Sequence, residues 1–164
     1  MTRKTILSGL ILGAALPTGQ ATAQMPAAIA APDKTVVATY HAEGAQIYEC
    51  KAGADGKLTW VFREPIASLL LDGKTVGRHY AGPTWENADG SAIVGKASGN
   101  APGATAKDIP WLKLDVVSKR GSGALSDITT VLRTNTHGGA AQGGCRKAGD
   151  FRAVAYSADY VFLH

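Results

Sequence analysis

From residue 35 onward, apolar and polar side chains trade places in short runs of period two, the repeat of a β-strand with one covered face. Residues 35–40 open the series. In residues 46–50, Gln46, Tyr48 and Cys50 share one face while Ile47 and Glu49 share the other. Residues 58–63 set Leu58, Trp60 and Phe62 against Thr59, Val61 and Arg63, and this large apolar face is expected to supply core. Ala54, Asp55 and Gly56 lie between those two runs and mark a hairpin turn. Pro65 is expected to end the strand before it, because proline has no N–H for a ladder. Residues 66–71 fit either a helical turn or a further strand.

Asp72-Gly73, Asp89-Gly90 and Gly121-Ser122-Gly123 are further turn signals. They separate a short β-like run over residues 91–97 from a half-buried strand in which Leu112, Leu114 and Val116 alternate with Lys113 and Asp115. Residues 98–108 show no apolar period and are expected to form a long flexible loop. Thr129, Thr130, Val131 and Thr134 predict a strand over residues 128–136 through their branched β-carbons. A competing helix over residues 124–133 rests on the spacing of Leu125, Ile128 and Leu132, and the threonines weigh against it. Residues 137–149 hold five glycines and read as an irregular loop, and residues 151–163 as a long closing strand. About eight short, mainly antiparallel strands joined by turns and long loops predict an all-β single domain, either a sandwich or a barrel.

The first residues obey another rule. Arg3 and Lys4 precede an 11-residue apolar stretch, residues 6–16, and Ala21-Thr22-Ala23 offers a small-x-small site, so residues 1–23 predict a cleaved export signal. Residues 24–34, rich in Ala and Pro, then read as a flexible leader, and residues 35–164 as the domain. The location implied is periplasmic or extracellular. No stretch has the roughly 18 apolar residues of a membrane-spanning helix. The signal carries two of the 17 basic residues and none of the 13 acidic ones, which leaves 15 against 13, a net charge of +2. With its basic residues also scattered, the mature chain is not expected to bind nucleic acid.

Two cysteines, Cys50 and Cys145, are an even pair without C-x-x-C spacing, which in an oxidising compartment predicts a structural disulfide. Candidate chemistry gathers over residues 77–91, where His79, Tyr80, Trp85, Glu86 and Asp89 crowd around Gly82-Pro83. Glu86 and Asp89 are weak candidates for an acid/base pair, with His79 beside them, and a hydrolase or metal-dependent enzyme using the loop from His79 to Ser91 is the alternative function. The four histidines have no ligand spacing, so no metal and no other cofactor is expected. A ligand-binding or structural role in the envelope or outside the cell is the preferred reading. His79, Tyr80, Trp85 and Glu86, with Asn135 and His137 from the other half of the chain, would meet a small molecule or glycan. Tyr80, Trp85 and Trp111 would form an aromatic platform there unless the tryptophans are buried anchors.

Gln46-Ile-Tyr-Glu-Cys50, Trp60-Val-Phe62, His79-Tyr-Ala-Gly-Pro-Thr-Trp85, Asp89-Gly-Ser91, Pro110-Trp-Leu112, Arg133-Thr-Asn-Thr136, Cys145 and Tyr156-Ser-Ala-Asp-Tyr160 resemble, in that order, the DUF3455 family of exported proteins of unknown function. The resemblance spans nearly the whole domain and places both cysteines at family positions. It implies no catalytic residue. A dehydrogenase role is contradicted by the absence of any strand-G-x-G-x-x-G-helix unit.

Overall fold

A computed structural model describes residues 25–164, and the export signal read over residues 1–23 lies outside them. Eight antiparallel strands follow one another around a closed barrel: β1 (Val36–Ala52), β2 (Leu58–Leu71), β3 (Lys74–Tyr80), β4 (Thr84–Asn87), β5 (Ala92–Ala101), β6 (Trp111–Arg120), β7 (Thr130–Gly138) and β8 (Phe151–Leu163), with β8 pairing back to β1. Sequence alternation therefore becomes an inside and an outside. Tyr40, Ala42, Leu69, Trp85, Ile93, Leu114, Val131, Tyr160 and Phe162 face inward and form one buried cluster.

Several expectations need correction. The two runs at 35–40 and 46–50 are one 17-residue strand. Pro65 does not end β2, which continues to Leu71 and so settles residues 66–71 as strand. Ile47 pairs with Glu64 and Tyr48 with Phe62, which leaves Arg63 as an extra residue; a bulge at this point lets the chain pass a residue that cannot donate. Phe62 is not core but 50% exposed, and β2 contributes Ala67 and Leu69 instead. The loop expected from residue 98 begins only after Ala101, because β5 extends past a bulge at Ser98. Residues 124–129 form neither strand nor helix, and β7 starts at Thr130. The segment read as a flexible leader carries a single 3-10 turn, Ala27–Ile29, which packs on β5 and β6 and leaves Ile29 fully buried.

The barrel ends differ. The β6–β7 connection folds across one end, where Leu125 and Ile128 join the buried cluster at 1% and 0% exposure. Asp89 holds it there: Oδ2 accepts from Ala124 N at 2.8 Å, while Ser91 Oγ accepts from Leu125 N at 3.2 Å and donates to Asp89 Oδ1 at 2.6 Å. At the other end, the β5–β6 connection bonds to the last residue of β7 through Ile109 N to Gly138 O (2.9 Å) and to the β7–β8 connection through Ala140 N to Lys107 O (3.1 Å). The Cys50–Cys145 disulfide, with Cα atoms 5.9 Å apart, ties the β7–β8 connection to β1. Gly139, at φ +86°, lies where a β-carbon would stand 2.9 Å from both Ile109 Cγ2 and Tyr156 Cβ, so the two connections can seat only over a glycine.

Candidate functional site

Strand lengths create an opening. β3 and β4 have 7 and 4 residues, and their pairing reaches only Ala67 on β2 and Val94 on β5. Toward the end bearing the β3–β4 turn, residues 58–65 of β2 and 95–101 of β5 thus run on with no strand between them. A cavity of about 610 Å³ occupies this notch and reaches into the barrel. Phe62, Arg63, Pro65, Lys96, Ala97 and Pro110 border it, the Gly82-Pro83 turn forms a sill, and Gln46, His79, Trp85, Leu114, Arg133 and Tyr160 line it further in. A volume in this range suits a small organic ligand, and an eight-stranded barrel is wide enough to hold one.

The inner wall is aromatic. His79 and Trp85 pair across β3 and β4 and stack at 4.5 Å with 14° between their planes. Tyr160 closes on both, 4.9 Å from the imidazole and 5.3 Å from the indole. Gly95 makes room for this group: a β-carbon there would stand 2.9 Å from Trp85 Cζ3 and 3.2 Å from Leu114 Cβ. His79 Nδ1 donates to Thr84 O at 2.8 Å, so Nε2 carries the lone pair. Burial pushes the imidazole down to about 3, opposed by the Thr84 bond and helped by the Arg133 charge. His79 is therefore a neutral wall rather than a proton shuttle at ordinary pH. Burial also raises Tyr160, with the Arg133 charge acting in the opposite direction.

Arg133 stands on the inward phase of β7, paired with Tyr160. Its Nε and Nη2 donate to Pro110 O at 3.0 and 2.9 Å. No carboxylate ion-pairs with it among the described residues, and none appears among the residues lining the cavity. Trp85 Nε1 and Gln46 Nε2 are buried without an acceptor among the described residues.

Of the residues expected to form a site, the cavity takes His79 and Trp85 and leaves the others elsewhere. Glu86 pairs with Arg78 across β3 and β4, on the outward phase. It accepts from Tyr80 Oη at 2.7 Å, Arg78 Nη2 at 2.9 Å and Arg120 Nη2 at 2.8 Å. The Tyr80 bond, followed by that from Arg78, holds its carboxyl below the usual range, while the same bond raises Tyr80. Tyr80 borders a separate outer recess of about 220 Å³. Asp89 sits in the β4–β5 turn and is held far below the usual carboxylate range, chiefly by the Ala124 N–H and then by Ser91. Asn135, at φ +48°, is the extra residue of a bulge in β7 and donates to Asp159 Oδ2 at 2.8 Å. His137 is exposed on the same strand. Trp111 is half-buried and is not among the cavity residues, so Tyr80, Trp85 and Trp111 share no common face.

Sequence reasoning passed over Gln46 and Arg133 as cavity residues. Both had a legible signal: each is a polar residue in phase with the apolar face of its strand, Gln46 with Tyr48 and Arg133 with Val131.

No curated protein and no solved structure matches the chain. A family model does match residues 30–164, from just after the buried Ile29 to the last residue of the sequence, and thus takes in every strand of the barrel and both cysteines; the chain belongs to DUF3455, a family of proteins of unknown function.

Proposed function

We propose that this chain is an exported barrel that holds a small, largely apolar ligand in the notch between β2 and β5. The observation that carries the reading is the 610 Å³ cavity with a fully buried His79–Trp85–Tyr160 wall at its inner side, its imidazole and indole stacked. A wall of this kind supplies apolar contact area that is already ordered before the ligand arrives. Phe62, half exposed at the border, gains cover when the cavity fills. The Cys50–Cys145 disulfide and the signal-like residues 1–23 support export.

A hydrolase built on Glu86 and Asp89 is less favoured. Each carboxylate already accepts at least three hydrogen bonds and is kept ionised, so neither is poised as a general acid.

The test uses the neutral fluorophore N-phenyl-1-naphthylamine, whose emission rises in apolar surroundings. The disulfide-bonded protein is expected to bind it with one saturable site, and Ala97→Trp, which fills the border of the cavity, is expected to weaken binding at least about tenfold with an unchanged β-sheet circular dichroism spectrum. No saturable signal, or a signal indifferent to Ala97→Trp, overturns the reading.

A further inference from the structure

The cavity has a chemical bias that its volume alone does not express. Its lining residues include Arg63, Lys96 and Arg133 and no Asp or Glu. Arg63 is partly engaged with Glu64 at 3.2 Å and leans over the Phe151 ring. Arg133 differs: it stands on the inward phase of β7 beside the neutral His79 and Tyr160, and among the described residues it donates to a backbone carbonyl, Pro110 O, and ion-pairs with no carboxylate. A carbonyl orients a guanidinium but does not neutralise it. Around this cation, the unsatisfied polar atoms are donors. Trp85 Nε1 and Gln46 Nε2 can only donate, and neither has an acceptor among the described residues. Both belong to fully buried side chains that line the cavity, at 1% and 2% exposure.

A cation without a counter-ion, donors without acceptors and a carboxylate-free lining have one common complement. We propose that the natural ligand is an apolar carboxylate, an amphiphile whose negatively charged group meets Arg133 and whose apolar body lies along the His79–Trp85–Tyr160 wall. This rests on the cavity being a ligand site, and it adds the class of ligand. A guanidinium fork matches a carboxylate in two parallel hydrogen bonds, and the bond gains strength where solvent is scarce. The apolar body follows from the rest of the lining, Phe62, Pro65, Pro83, Ile109, Leu112 and Leu114.

A matched pair of competitors decides it: 2-naphthoate and 2-naphthamide, which share a ring system and differ in charge. Each is titrated against the protein preloaded with N-phenyl-1-naphthylamine. The carboxylate is expected to displace the fluorophore at a concentration about tenfold or more below that of the amide. Arg133→Gln keeps a donor for Pro110 O while removing the charge; with displacement measured relative to each protein's own fluorophore affinity, it is expected to bring the two competitors within about twofold of each other. Equal displacement by the two compounds in the native protein overturns the proposal and leaves the cavity reading intact. So does a carboxylate advantage that survives Arg133→Gln. Failure of the fluorophore to bind the native protein defeats both.

Discussion

The two ends of this barrel are built from similar material and do opposite things. At the end bearing the β6–β7 connection, nine residues between β6 and β7 turn inward, and Leu125 and Ile128 complete the core. At the other end the β5–β6 and β7–β8 connections are of similar or greater length, yet they hydrogen-bond to each other and leave a cavity beside them. The difference lies in what the loops bring. The plugging connection carries apolar side chains and is fixed by a carboxylate, Asp89, that reaches across from another turn. The opposite connections carry Ile109 as their buried apolar residue; the β7–β8 connection, with four glycines, depends on a disulfide. One end is held by packing and the other by a covalent tie.

That contrast can be broken in order of expected effect. Replacing both Cys50 and Cys145 by serine releases a loop whose ends are 95 residues apart in sequence, and the chain-entropy model puts the loss at roughly 4–5 kcal/mol. Urea denaturation measures it, and a loss below about 1 kcal/mol means that packing, not the bridge, holds the open end. Leu125→Ala removes a fully buried side chain and is expected to cost about 3 kcal/mol, whereas Leu112→Ala, half-buried beside the cavity, should cost about 1 kcal/mol. Equal costs would erase the distinction between the ends.

His79 sharpens the comparison through pH. Its folded-state value of about 3 lies below the ordinary 6.5, so the unfolded chain binds the proton more readily. The stability that follows is complete above pH 6.5 and is lost as pH falls toward 3. It should amount to a few kcal/mol. His79→Gln is expected to flatten that part of the stability profile, after the acid response of the carboxylates, common to both proteins, is subtracted. The smallest effects belong to the outer carboxylates. Glu86→Gln and Asp89→Asn should leave binding of the neutral fluorophore within about twofold, although Asp89→Asn should lower the melting temperature by loosening the plug.

Much of the architecture could be read from the chain because closure of a barrel preserves the period of two in every strand. The turns at Asp72-Gly73, Asp89-Gly90 and Gly121 and the pairing of Cys50 with Cys145 were legible for local reasons. The misreadings came where a local rule met a longer-range accommodation. Pro65 lies next to a bulge that absorbs its missing donor, and Phe62 lies in phase with the core but beyond the reach of β3, so half of it stays exposed beside the Tyr48 ring. The crowding over residues 77–91 was real, but alternation splits it: His79 and Trp85 go inward, Tyr80 and Glu86 outward. Arg133 comes from more than forty residues later in the chain, and only the β7–β8 register brings it to Tyr160.

The shortness of β3 and β4 has one more consequence. Most of the barrel has no free backbone edge, yet residues 58–65 and 95–101 each present one side without a neighbouring strand. Such rails invite a strand from another molecule, the first step toward edge-to-edge aggregation. Here the β2 rail is interrupted by the Arg63 bulge and by Pro65, and the β5 rail by charged Lys96 and the Ser98 bulge. The notch proposed to hold a small ligand is thus bordered by backbone too irregular to template a fibre.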